Sequence, residues 1–134
     1  MTDTAIIYAS FAGKTRKIAE YIAQALDADI FDLKQQSNID ISAYSRIILG
    51  TGVHAGNPYG RVGDFIEAHR SELNEKTTVL FISCMYKGER AENQCAEVTK
   101  KFDLSNSVFF STRSEKNEAG LSKDVDAFIE RMKA

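Results

Sequence analysis

The chain has 134 residues, 43% hydrophobic and 27% charged, with a formal net charge of −2 at pH 7. That size and balance describe a single domain over residues 1–134, and the near-neutral net charge does not suggest a nucleic-acid partner. No apolar run approaches the ~20 residues of a membrane span, Met1-Thr2-Asp3-Thr4 lacks the basic region of a signal peptide, and two cysteines without CxxC spacing fit a reducing cytoplasm.

The first strand is expected at Ala5–Ala9, apolar nearly throughout, as in a strand covered on both faces. Helix periodicity follows over Lys14–Leu26, where Ile18, Ile22, Ala25 and Leu26 recur on one face. The start of that helix is unusual. A helix N-terminus is partly positive and favours Asp or Glu, yet here it carries Lys14, Arg16 and Lys17. An anion at that end would reconcile the charges. Unpaired backbone N–H groups, Gly13 and the Ser10 and Thr15 hydroxyls would suit a phosphate. A solvated basic patch is the other reading of the same residues.

A second strand is expected at Ile30–Leu33, then a polar connection from Lys34 to Ser45 with one helical turn at most. The third strand is Arg46–Gly50, followed by a long loop from Thr51 to Gly60 that holds the chain's one proline, Pro58. Val62, Phe65, Ile66, His69 and Leu73 mark a helix over Arg61–Leu73. The fourth strand, Thr78–Ser83, ends at Cys84, and the loop Met85–Glu89 leads into a helix over Arg90–Phe102 with the stripe Ala91, Cys95, Val98 and Phe102. The fifth strand is Ser107–Ser111. A last helix ends near Met132, with Leu121, Val125, Phe128, Ile129 and Met132 on one face.

Strands alternating with helices predict an α/β fold, a doubly wound five-stranded parallel sheet with helices on both faces. The flavodoxin-like order 2-1-3-4-5 is the natural one. It places a ligand outside the carboxyl ends of the strands, at the switch between the first and third. The loops after strands 1, 3 and 4 would meet there, and they are the loops richest in Gly, Ser, Thr, Tyr and His.

Gly13-Lys14-Thr15 matches the end of a GxxxxGK[ST] nucleotide loop, but Tyr8 stands where that motif needs glycine. A GxGxxG dinucleotide fingerprint is absent. Ser10 and Gly50-Thr51 stand where a phosphorylated receiver domain needs its acidic residues. Ser10-Phe11-Ala12-Gly13-Lys14-Thr15 does resemble the FMN phosphate loop of the flavodoxin family, (S/T)-x-(S/T)-G-x-T, with Ala12 costing one hydroxyl. Gly13–Ala19, Tyr44–Gly50, His54-Ala55-Gly56 and Phe81–Glu89 further resemble the branch that includes the bacterial flavodoxin-type protoporphyrinogen oxidase. That branch member has a longer segment before its last helix than the Thr112–Gly120 stretch found here.

The resemblance implies FMN as cofactor. Ser10, Phe11, Ala12, Gly13, Lys14 and Thr15 would surround its phosphate. Thr51, Gly52, Val53, His54, Ala55, Gly56 and Tyr59, with Ser83, Cys84, Met85, Tyr86 and Gly88, would flank its ring. Tyr86 is the first candidate to stack on the ring, Tyr59 or His54 the second. Cys84 reads as a buried, unreactive thiol. No general acid–base pair, Ser-His-Asp set or metal cluster stands out, so the flavin would supply the chemistry.

The resemblance implies an electron carrier or FMN-dependent oxidoreductase, serving a redox partner protein or a small-molecule electron donor or acceptor. An enzyme would be of the quinone-reductase or protoporphyrinogen-oxidase kind. The alternative is a domain that keeps the fold without flavin and serves interaction or regulation; Ala12 is its support. A cytoplasmic protein with a flavin potential less negative than that of acidic flavodoxins is the further expectation, because a net charge of −2 disfavours the anionic reduced flavin only weakly; the oligomeric state stays open, a monomer being compatible with this size.

Overall fold

The computed structural model describes residues 3–11, 13–36, 38–54 and 57–133. Five strands form a parallel sheet. β1 (Thr4–Tyr8) is flanked by β2 (Asp29–Asp32) and β3 (Arg46–His54), and beyond β3 lie β5 (Thr77–Cys84) and β6 (Ser107–Ser111). The order β2-β1-β3-β5-β6 is the expected 2-1-3-4-5 in the numbering of these strands. A two-residue strand, β4 (Asn57–Pro58), pairs antiparallel with the end of β3.

Alternation along each strand divides the core by sheet face. Ala5, Ile7, Ile47, Leu49, Leu80 and Ile82 point to one face, under α2 (Gly60–Ala68), α3 (Arg70–Asn74) and α4 (Glu89–Lys101). Ile6, Tyr8, Ile48, Val79, Phe81 and Phe110 point to the other, under α1 (Lys14–Leu26) and α5 (Lys123–Lys133). Each central strand is therefore apolar without interruption, because both of its faces need apolar residues. On α1 the buried stripe is Ile18, Ala19, Ile22 and Ala23, while Ala25 faces solvent.

Three features differ from the sequence expectation by more than a residue. The helix expected over 61–73 breaks at His69, whose φ of −119° leaves the helical region. The imidazole stacks on Phe65 with centroids 4.3 Å apart, and the turn lets Arg70 donate to the carbonyls of Phe102 (2.9 Å) and Asp103 (3.1 Å) at the end of α4. The third strand runs on past Gly50 to His54, because Val53 and His54 pair with Pro58 and Asn57. That short hairpin also makes the sheet six-stranded rather than five-stranded.

Glycines at the end of β3 mark close approach rather than chain reversal. A Cβ on Gly50 would stand 2.3 Å from the Phe81 ring, and one on Gly52 would stand 2.5 Å from the Tyr59 hydroxyl. Among the described residues, no helix is long and apolar enough to cross a membrane.

Candidate functional site at the carboxyl ends of the strands

The loop after β1 is closed by Ser10, whose Oγ accepts the Gly13 N–H at 3.0 Å. Gly13 takes φ 90°, a left-handed conformation that costs glycine little, and α1 starts directly behind it. No side chain caps that helix and no acidic residue lies in its first turn. A helix leaves its first N–H groups without intrahelical partners, so the Lys14–Arg16 turn presents bare donors beside cationic side chains. Arg16 pairs with Glu20 at 3.5 Å, an exposed pair of little energetic weight. Lys14 and Lys17 make no ion pair among the described residues.

Facing that turn is a cleft of about 340 Å³, within the range of small-molecule sites. Phe11, Lys14 and Thr15 line it from the first loop, Gly52, Val53 and Tyr59 from the end of β3 and its hairpin, and Ser83, Cys84 and Met85 from the end of β5. Thr15 is 2% exposed and Ser83 8%. Neither hydroxyl has a hydrogen-bond partner among the described residues. Among the described residues no fully buried side-chain oxygen lacks a partner, so both hydroxyl oxygens open onto the cleft, within reach of water or a ligand. Phe11 and Met85, at 72% and 65% exposure, are two of the three large apolar side chains left in solvent among the described residues, and both stand at this cleft.

The loops expected to meet do meet. Tyr59 is positioned by its backbone N–H, which donates to Thr51 Oγ1 at 3.0 Å, while that hydroxyl donates to the Gly52 carbonyl at 2.9 Å. Thr51 thus acts from beneath, fully buried. Tyr86 does not line the cleft. Its ring lies 3.8 Å under the Arg90 guanidinium, and its carbonyl accepts the Ser111 hydroxyl. Gly88, with φ 67°, starts α4. Ala12, Ala55, Gly56 and the His54 side chain lie outside the described residues. Cys84 is 3% exposed, and burial pushes its thiol pKa up, the state of an unreactive cysteine.

Charge around the cleft is one-sided. A neighbouring hollow is lined by Lys34 and Arg61 together with Ser10, Phe11 and Tyr59. Another is lined by Lys14, Lys17 and Lys116, with Ser83, Ser111, Thr112 and Ser122. Among the described residues, no Asp or Glu lines the cleft or either hollow. The sequence pointed to Lys14 and Lys17, but Lys34, Arg61 and Lys116 reach the rim only through the fold. Nothing in their local sequence marks them.

Comparison with known proteins bears on the family and the fold. The protoporphyrinogen IX dehydrogenase [quinone] of Escherichia coli K12 is 25% identical over 83 residues, 58% of this chain and 46% of that protein. The chain therefore spans less than two thirds of that relative. Rubredoxin oxygen:oxidoreductase from Desulfovibrio gigas superposes with a TM-score of 0.69 at 15% identity, covering 95% of this chain and 34% of that one. A Fusobacterium nucleatum flavodoxin bound to flavin mononucleotide superposes with a TM-score of 0.58 at 15% identity, covering 99% and 98% of the two chains. The flavodoxin-domain family model matches residues 5–130, nearly the whole chain, so the protein belongs to the flavodoxin-domain family.

Proposed function

We propose that the chain binds FMN in the cleft at the ends of β1, β3 and β5 and transfers electrons through it. The observation that carries this reading is the helix start with no acidic residue and no side-chain cap, beside a cleft onto which the Thr15 and Ser83 hydroxyls open without a partner among the described residues. A phosphate at Lys14–Thr15 would take up the bare N–H groups and offset the clustered positive charge. Ser10, already accepting from Gly13, keeps its own O–H free to donate. Phe11, Met85 and Tyr59 supply the apolar walls an aromatic ring needs.

Bound FMN would supply one- and two-electron redox chemistry. The protein's part is to hold the phosphate, to exclude water from the ring through Tyr59 and Met85, and to set the charge around it. Among the described residues no paired acid and base lines the cleft, and the reading is exchange of electrons with a redox protein or a small acceptor such as a quinone.

The test is titration of the purified chain with FMN, followed by the flavin absorbance near ~450 nm and by quenching of flavin fluorescence. Hydrogen bonds to charged groups contribute about 1.5–3 kcal/mol each. The Ser10→Ala/Thr15→Ala double variant should therefore bind at least about tenfold more weakly. A chain that takes up no FMN ends the proposal, and undiminished binding by the double variant moves the phosphate elsewhere.

A further inference from the structure

A cavity larger than the cleft lies away from it. It is a groove of about 860 Å³ along the β6 edge of the sheet, with α4 and α5 as its walls. The two sheet edges are built differently. β2 is four residues long and carries Asp29 and Asp32 at its ends, the kind of charge that guards an edge against pairing. β6 reads Ser-Val-Phe-Phe-Ser, without charge or proline, and pairs on one side only, with β5.

The walls carry charge in a repeated pattern. Glu92 and Asp124 lie in the first turns of α4 and α5, and Lys100 and Arg131 lie in their last turns. All four line the groove. Both helices return from the carboxyl ends of the strands, so the groove is acidic at one end and basic at the other. Asp103 is the one acid at the basic end. Ala96 stands midway between Glu92 and Lys100, Ala127 midway along the α5 face, and Phe109 at the middle of β6.

We propose that this edge is a homodimer interface occupied by a second copy of the chain. A two-fold axis normal to the sheet, at the level of Phe109, sets the two β6 edges antiparallel. It places α4 against α4 and α5 against α5. Each Glu92 then meets Lys100 of the other copy, and each Asp124 meets Arg131. The small side chains of Ala96 and Ala127 fall where the helices come closest. A face that is its own complement is what an isologous dimer requires, and paired opposite charges fix its register. The inference does not depend on flavin binding.

Sedimentation equilibrium of the full chain should give twice the 14.9 kDa chain mass. Arg131→Glu sets like charges opposite Asp124 and should raise the dissociation constant at least about tenfold. Asp124→Lys in the same chain should restore the dimer. Ala127→Arg, at an exposed helix position, should give a folded monomer by circular dichroism, independently of the charge pairs. A wild-type chain that stays monomeric up to about 1 mM, the scale of weak association, overturns the proposal. So does a dimer indifferent to Arg131→Glu and Ala127→Arg, or a charge-swapped double variant that stays monomeric.

Discussion

At the scale of single residues, the proposed flavin site turns on which tyrosine meets the ring. Tyr86 is engaged elsewhere, under the Arg90 guanidinium. Tyr59 lines the cleft, and its ring lies so close to Gly52 that a Cβ there would collide with the hydroxyl at 2.5 Å. Gly52 is therefore needed for the position of Tyr59. Aromatic stacking contributes about 0.5–1.5 kcal/mol beyond burial. Tyr59→Leu should raise the FMN dissociation constant roughly 2- to 10-fold and relieve part of the fluorescence quenching. Tyr86→Leu should change neither by more than about twofold, because its ring packs on Arg90. If the Tyr86 change relieves quenching and the Tyr59 change does not, the stacking role belongs to Tyr86.

At the scale of elements, the connection from Lys34 to Ser45 has no helix, yet it is pinned. Ile39 and Ile41 are buried, and the Tyr44 hydroxyl donates to Asp29 Oδ2 at 2.6 Å, tying the connection to the edge strand β2. That bond to a carboxylate, with lesser help from desolvation, pushes the Tyr44 phenol from 10.0 up to about 12. The folded pKa lies above the unfolded one. The tie therefore stabilises in full below pH 10 and is lost as pH rises to about 12. The pair is largely solvated, so Tyr44→Phe should cost less than about 1 kcal/mol at pH 8. Urea unfolding across a pH series checks it: the gap between the two proteins should close between pH 10 and 12. A gap that stays constant would remove the hydrogen bond as its cause. Most elements were legible in the sequence because strands covered on both faces leave uninterrupted apolar runs, as at Ile47–Leu49 and Leu80–Ile82. The break at His69 was not, because Val62, Phe65, Ile66 and Leu73 keep one helical stripe across it. Nor was the end of β3, where Gly50 and Gly52 read as breakers but fit against Phe81 and Tyr59. The first-loop half of the candidate site is local in sequence, whereas the placement of the Tyr86 ring and carbonyl depends on Arg90 and Ser111.

At the scale of the whole molecule, charge is segregated. The chain carries a formal net charge of −2, yet Lys14, Lys17, Lys34, Arg61 and Lys116 line the cleft and its flanking hollows, with no carboxylate among the lining residues. Fully reduced FMN is an anion, so with FMN bound as proposed this rim would favour the reduced cofactor, where a carboxylate-rich rim would oppose it. Two unit charges 4 Å apart interact by about 4 kcal/mol at an effective dielectric of 20, and salt attenuates exposed charges beyond a Debye length of about 10 Å at 0.1 M. The effect should therefore be both present and salt-sensitive. Spectroelectrochemical titration of the FMN-loaded chain should give a potential for full reduction less negative than that of strongly acidic flavodoxins. Raising the ionic strength should make it more negative. Lys34→Gln with Arg61→Gln should shift it the same way at low salt, and less so at high salt. These two positions suit the test because they line the hollow beside the cleft rather than the helix start that would hold the phosphate. A potential indifferent both to salt and to the two substitutions would mean that the rim does not set the flavin's redox behaviour. The five cations would then serve another purpose, such as steering an acidic partner to the cleft, and that would show in a salt-dependent association rate instead.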